Sequence, residues 1–226
     1  MAATDAGPAP LCCVHEDDDL LVLDKPAGWL CVPGRGPLKQ DALSTRAQQR
    51  WPDALIVHRL DQATSGLVLM ARSPGMQRLL SIAFARREVV KHYEAVVHGL
   101  PHAQAGADGD GDGWHSIDAP LAADWPRRPR QKVDPLNGKP SQTLWRMLAH
   151  DGASATTRLE LQPLTGRTHQ LRLHLTHIGH PIVGDALYAD AATHGCAPRL
   201  LLRACRLRLR HPGTGAWLQL ASPVPF

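Results

Sequence analysis

Asp61 stands two positions after Arg59 in Val57-His-Arg-Leu-Asp-Gln-Ala-Thr-Ser-Gly66, just ahead of a small polar turn that leads into the apolar run 67–70. An aspartate is ionised at neutral pH and can attack without a separate base. A nearby arginine would keep it charged and orient it. The residues alone also allow Asp61 to be the cap of a turn, because Asp-x-x-Thr-Ser-Gly is good turn chemistry. A second segment, Leu164-Thr-Gly-Arg-Thr-His-Gln-Leu-Arg172, places Gly166 before a helix expected to start at Thr168, with arginines at 167 and 172. A guanidinium at a helix start can fork onto a carboxylate or phosphate, which lysine cannot do. The same pattern would suit a capped surface helix. Tyr93, in Lys91-His-Tyr-Glu-Ala95, is one of only two tyrosines. A phenol on a strand can stack on a base and hydrogen-bond through its hydroxyl, or it can simply fill a core.

Strands and helices must bring these segments together. Residues 20–23 read as a strand stopped by Asp24-Lys25-Pro26, and 42–51 as a helix with Asp41 as its N-cap and Pro52 beyond its end. Strands over 54–57 and 67–71 would flank the Asp61 segment. A helix from Ser73-Pro74 through Arg87 and a strand over 92–98 follow, then a Gly-, Ala- and Asp-rich loop over 102–115. Strands are expected over 141–148 and 156–161, and a helix over 168–178 closed by Gly179 and Pro181. Residues 206–210 alternate three arginines with Leu207 and Leu209, a strand that 217–220 could pair. Many strands, few helices and no regular alternation of the two predict an α+β fold: a single domain over residues 16–226 with a mixed, largely antiparallel sheet flanked by helices and loops. Residues 1–15 are expected to be a disordered N-terminal tail.

With 226 residues the chain can bury a substantial core, and 43% hydrophobic residues suit a globular protein. The net charge is only +4, but it is unevenly spread. The first 24 residues carry six acids and no Lys or Arg, whereas Arg127, Arg128, Arg130 and Lys132 cluster and Arg199, Arg203, Arg206, Arg208 and Arg210 follow. Such a basic half fits a polyanion docking on one side, or serves only to solubilise the surface. Five cysteines without a Cys-x-x-Cys pair suggest reduced thiols in the cytoplasm rather than a disulfide framework or zinc ribbon. The chain shows no basic-then-apolar leader and no run of about 18 apolar residues, so neither export nor membrane insertion is expected.

In chain order, Asp24-Lys-Pro-Ala-Gly28, His58-Arg-Leu-Asp61 with Thr64-Ser-Gly66, Lys91-His-Tyr93, Gly166-Arg-Thr-His-Gln-Leu-Arg172, His180-Pro-Ile-Val-Gly-Asp185 and Tyr188 together resemble the RluA-type pseudouridine synthases. The resemblance spans residues 20–223. Asp124-Trp-Pro-Arg-Arg-Pro-Arg-Gln131 is similar to the RluA subgroup itself, whose members modify a transfer RNA anticodon stem-loop and a large-subunit ribosomal RNA loop. The resemblance implies a cofactor-free, metal-free RNA pseudouridine synthase with a central RNA-binding cleft, acting as a monomer. Asp61 would be its nucleophile, Arg167 would pair with Asp61, and Tyr93 would pack against the target uracil. Arg59 would fill the place of the everted base, Leu202 would line the pocket, and His58, Arg128, Arg130 and Lys132 would contribute to RNA binding. Two departures stand out: Leu202-Arg203-Ala204 where the family has Leu-His-Ala, which leaves the role of Arg203 open, and Gln62 where methionine is usual, a change expected to be tolerated. With no room for an appended RNA-binding module before residue 20, target choice should rest on the catalytic domain and RNA shape.

Other patterns point elsewhere. Asp108-Gly-Asp-Gly-Asp-Gly113 begins like a calcium loop, but Ala119 stands where a bidentate glutamate is needed. His169, His174, His177 and His180 cluster without a suitable full ligand set for zinc. Two rival functions are an RNA binder without turnover and a glycosidic hydrolase pairing Asp61 with Glu88 or Glu94 as acid.

Overall fold

Leu20 to Leu23 are all fully buried, and so are Leu67 to Ala71, because both strands lie between two helices. Runs covered on both sides lose the in–out alternation of a half-exposed strand. The protein is described by a computed structural model that covers residues 11–102 and 113–226. In chain order the elements are β1 (Cys12–Glu16), β2 (Leu20–Lys25), α1 (Leu43–Arg50), β3 (Leu55–Ile56), β4 (Ser65–Ala71), α2 (Pro74–Ala85) and β5 (Val90–His98). They continue with β6 (His115–Asp118), β7 (Leu121–Ala123), β8 (Gln131–Val133), β9 (Gln142–Asp151), β10 (Thr156–Pro163), α3 (Gln170–His177), α4 (Ala191–Gly195), β11 (Leu202–Arg210) and β12 (Trp217–Ala221).

Ten strands form one sheet in the order β1-β2-β4-β11-β5-β10-β9-β6, with β12 added to β11 and β3 to β4; β7 and β8 pair separately. Every pairing is antiparallel except β4 with β11, where Arg203 faces Ser65 and Ala204 faces Gly66. The fold is therefore α+β with a mixed, mostly antiparallel sheet, as the sequence predicts. On β2 and β4 the alternate residues divide between two cores. Leu21, Leu23, Val68 and Met70 pack with Leu43 and Ala47 of α1, and this core continues through Tyr93, Leu159, Leu161, Leu171 and Leu175. Leu20, Val22, Leu67 and Leu69 pack with Met76 and Leu80 of α2 and with Leu207 and Leu209 of β11.

Four boundaries differ from expectation. The tail predicted over 1–15 is not disordered at its inner end: Cys12–Glu16 form β1, antiparallel to β2, and Glu16 accepts a hydrogen bond from Trp51 Nε1 at 2.7 Å. Residues 1–10 lie outside the described residues, as do 103–112 of the expected loop and most of the calcium-like run. Asp41 does not cap α1. Thr45 Oγ1 accepts from Ala42 N at 2.9 Å, while Asp41 binds Arg46 through both carboxylate oxygens at 2.6 Å. Helix α2 ends at Ala85 rather than Arg87, since Arg87 turns into the left-handed region with φ 62°. Helix α3 starts at Gln170 instead of Thr168, behind His169 with φ 54°. That last shift changes the site.

Candidate active site

Asp61 sits on the connection from β3 to β4, tied down at both ends. Leu60 N donates to the buried Cys31 Sγ at 3.2 Å, and Thr64 N donates to Asp61 O at 3.1 Å, which closes the turn that the sequence anticipates. Gly66 follows with φ 115°, where a Cβ would lie 2.2 Å from Ala204 O. Only glycine allows β4 and β11 to approach so closely. Behind the turn, Lys25 is fully buried and donates to the carbonyls of Pro26 at 2.9 Å, Trp29 at 2.9 Å and Gln62 at 3.1 Å. Burial lowers its pKa to about 8, against the opposing pull of Cys31 and Asp61. Gly28 N also donates to Gln62 O at 2.8 Å, and Gln62 Nε2 returns a bond to Gly28 O at 3.0 Å. The residue next to Asp61 is thus clasped by the Asp24-Lys25-Pro26 turn.

The guanidinium beside Asp61 belongs to Arg172, whose Nη1 lies 4.0 Å from Asp61 Oδ2. The expected pairing with Arg167 is not formed. Because α3 starts late, Arg167 remains in the preceding loop, exposed, with Nε donating to Pro140 O at 3.4 Å. Arg172 is instead carried by the buried helix. Its Nε and Nη2 fork onto Asp185 at 2.7 and 2.6 Å, and Asp185 Oδ1 also accepts from Leu187 N and Tyr188 N. Burial raises the Asp185 pKa, but the Arg172 bonds outweigh it and hold the carboxyl below its ordinary value. Tyr188 packs beneath the guanidinium, 5.2 Å from ring centre to Cζ, and its Oη meets His169 Nδ1 at 2.7 Å.

These groups open onto a cleft of about 650 Å³. Among the described residues Asp61 is the only carboxylate lining it, beside five cations: Arg59, Arg87, Lys91, Arg167 and Arg172. Tyr93 is almost wholly buried in its wall, and burial together with the Asp61 charge pushes the phenol pKa well above its usual value. Leu202 and exposed Arg59 line the cleft as well. His58 lines it as a neutral ring: burial, helped by the Lys91 charge, lowers its pKa to about 3. Its Nε2 accepts from Leu69 N at 2.9 Å and its ring stacks on Phe84 at 4.5 Å, so it braces the wall. Glu88 and Glu94 do not line the cleft, and Glu94 binds Arg158 at 3.1 Å. Among the described residues no second carboxylate lines the cleft to complete the two-carboxylate geometry of a glycosidic hydrolase.

Arg128, Arg130 and Lys132 lie outside that lining. They belong to the segment entering β8, where Arg128 covers the exposed Trp125 at 3.9 Å and Lys132 meets Asp134 at 3.0 Å. This segment is joined to the cleft through Gln131 N, which donates to Tyr188 Oη at 2.8 Å. Arg203 faces away from the cleft: it is buried against Asp24 and Ser222, linking β11 to β2. His174 spends both ring nitrogens, on Thr143 Oγ1 and Ala119 O, and no group of three or more potential metal ligands occurs among the described residues. No helix among them is long and apolar enough to cross a membrane.

The sequence reading left four contributors without a role: Arg172, Asp185, Lys25 and Lys91. A signal existed for the first pair. A helix buried along nearly its whole length that contains an arginine requires a buried acid, and Asp185 follows closely in the chain. Lys25, which ends β2 two positions after the apolar run Leu20–Leu23, carried a similar hint.

Residues 19–177 match the family model described as RNA pseudouridylate synthase. The chain is 42% identical over 213 residues to the dual-specificity RNA pseudouridine synthase RluA of Escherichia coli K12, covering 94% of this chain and 93% of that protein. Identity to the RluA of Pasteurella multocida is also 42%, with the same coverage. Among solved structures, human RNA pseudouridylate synthase domain containing 1 superposes with a TM-score of 0.77 at 28% identity, covering 99% of this chain and 87% of that one. Human RNA pseudouridylate synthase domain containing 4 gives 0.74 at 24% identity, covering 95% and 88%, and so supports the fold.

Proposed function

This chain belongs to the RNA pseudouridylate synthase family and isomerises uridines in RNA to pseudouridine, and from that premise we propose that Asp61 is its nucleophile, held in register by Arg172. The observation that carries this is a carboxylate that is, among the described residues, the single one in a cleft whose charged lining is otherwise cationic, 4.0 Å from a guanidinium that is itself locked to Asp185. The target uridine leaves its stack and enters the cleft, since a base inside a helix or loop cannot otherwise be reached. Arg59, exposed at the rim, takes the place of the departed base, while Tyr93 and Leu202 bound the uracil. Asp61 attacks, the N1–C1′ bond breaks, and the freed uracil turns. A C5–C1′ bond then forms, the bond made by Asp61 breaks and returns its electron pair to the carboxylate, C5 loses its proton and N1 gains one. Product and substrate are isomers, so the reaction needs no second substrate.

Tyr93 and Leu202, with Leu60, Phe84, Val89 and Leu171 in the same lining, keep water from the broken bond, where hydrolysis would leave an abasic site. Arg167 serves on the rim as an RNA contact. Arg128, Arg130 and Lys132, joined to the cleft through Tyr188, extend the footprint along the RNA backbone. His58 acts on the substrate only through the wall it supports.

The dual specificity in the names of the relatives, together with the Asp124–Gln131 motif, favours two kinds of target here, a transfer RNA anticodon stem-loop and a large-subunit ribosomal RNA loop. A monomer in the cytoplasm suits five cysteines that are all free thiols. The decisive test maps pseudouridines in RNA from cells with the gene, without it, and with Asp61→Ala in its place. The Asp61→Ala protein should bind RNA like the parent and restore none of the missing pseudouridines. Restoration by that variant would remove Asp61 from the chemistry.

A further inference from the structure

The deeply buried cations of this protein are matched. Arg172 has Asp185, Arg203 has Asp24, and Lys25 has three carbonyls. On the α2–β5 wall of the cleft the half-buried Lys91 breaks the pattern, and the exposed Arg87 beside it is likewise without a carboxylate partner among the described residues. Lys91 projects into the cleft two residues before Tyr93, and among the described residues no carboxylate lies within ion-pair distance of it. Its surroundings are the Phe84 ring, 6.0 Å from Nζ, and the neutral His58 stacked on that ring. Burial alone accounts for the lowering of its pKa, with no opposing anion. A half-buried ammonium with no counter-charge is unfavourable unless an anion arrives.

Arg87 shows the same imbalance in its backbone. It ends α2 in a left-handed conformation, φ 62°, with Arg87 N donating to Phe84 O at 3.1 Å and Glu88 N to Ala83 O at 2.9 Å. Glycine is the default residue at that position, and any L side chain is strained there. The side chain is exposed, lines the cleft, and has no carboxylate partner among the described residues; the nearby Glu88 faces Arg86 at 4.0 Å. Strain kept in the backbone to place a cation on a cleft wall points to what that cation binds.

Resting on the assignment of the reacting nucleotide to Asp61 and Tyr93, we propose that Arg87 and Lys91 form a clamp for the RNA phosphodiester next to the everted uridine. Alternation along β5 puts Lys91 on the same side as Tyr93, roughly 6 to 7 Å away along the strand. A phosphate attached to a nucleotide whose base lies on Tyr93 is therefore within reach. Lysine supplies a compact charge and arginine a fork, which together suit a phosphodiester better than the edge of a base.

The probe is a fluorescein-labelled stem-loop transcript, taken from whichever RNA gains pseudouridine when the parent protein is added to total RNA from a deletion strain. Arg87→Gly and Lys91→Met should each weaken binding on the order of tenfold and reduce the slope of log affinity against log salt by about one. The loss in kcat/KM should fall mainly on KM. Because one variant relieves strain and the other removes an uncompensated charge, both should keep or raise Tm. A purely structural role would instead lower Tm and affinity together. A double variant with the affinity and salt slope of the parent, beside an inactive Asp61→Ala protein, overturns the clamp alone. An Asp61→Ala protein that still isomerises overturns the underlying assignment, and with it the placing of the clamp beside the reacting nucleotide.

Discussion

Two opposite charges 4.0 Å apart attract by about 4 kcal/mol at an effective dielectric near 20, less than the desolvation they suffer if wholly buried. Asp61 avoids most of that cost by staying partly open to the cleft, 26% exposed, while Arg172 at 4% is neutralised from behind by Asp185. Asp185 is therefore a positioning residue. Asp185→Asn should destabilise the fold by about 3 kcal/mol or more, because a buried guanidinium loses its partner. It should also lower kcat, and Arg172→Lys should reproduce the kcat loss, since an ammonium cannot fork onto Asp185 and reach toward Asp61 at once. Urea titrations and single-turnover kinetics test both, and a fully active Arg172→Lys enzyme would count against the arrangement. The carboxylate of this site was legible in the sequence. Its partner was not: both arginines lie in one motif, and which of them reaches the cleft depends on the left-handed turn at His169, where no glycine marks it. His58 likewise reads as a substrate ligand until its ring is seen accepting from Leu69 N. Its folded pKa, about 3, lies below the ordinary 6.5, so protonation favours the unfolded chain. The stability it contributes is complete above pH 6.5 and is lost as pH falls toward 3. Thermal melts across that window should show a shallower decline for His58→Gln than for the parent.

At the level of elements, the Asp61 turn depends on how closely β4 approaches β11. Gly66→Ala would place a methyl 2.2 Å from Ala204 O in a left-handed backbone position, so the two strands must part. Loss of at least about 3 kcal/mol is expected, from strain and from broken ladder bonds together. Activity should fall more steeply than the folded fraction, because Asp61 moves with its strand. Circular dichroism melts compared with turnover at low temperature separate the two effects. The long apolar strands and the cap of α2 were readable, the latter because Ser73 Oγ accepts from Met76 N at 3.1 Å just as a Ser-Pro start implies. The three-residue strands β7 and β8 were not: Leu-Ala-Ala and Gln-Lys-Val are too short to show an alternating pattern. β1 escaped notice because its Cys-Cys-Val-His-Glu run becomes a strand only through pairing with β2.

Across the whole molecule, the uneven charge of the sequence resolves into a cleft lined by cations and a basic segment joined to it through Tyr188. Arg128→Ala and Arg130→Ala should weaken RNA binding at every sequence and each flatten the salt dependence by about one contact. Slopes equal to that of the parent would remove them from the footprint. The overall class, α+β with one mixed sheet, followed from strand count and spacing, whereas the strand order did not, since no local pattern reveals that the penultimate strand goes between β4 and β5. That insertion orders events in time. Asp61, Tyr93 and Arg172 are all synthesised before residues 202–210, yet β4 and β5 have no common neighbour until this late segment arrives to bridge them. A nascent chain still emerging from a ribosome, itself built of RNA, would hold every reactive group and remain inert toward its surroundings until residues 202–210 are free to join the sheet.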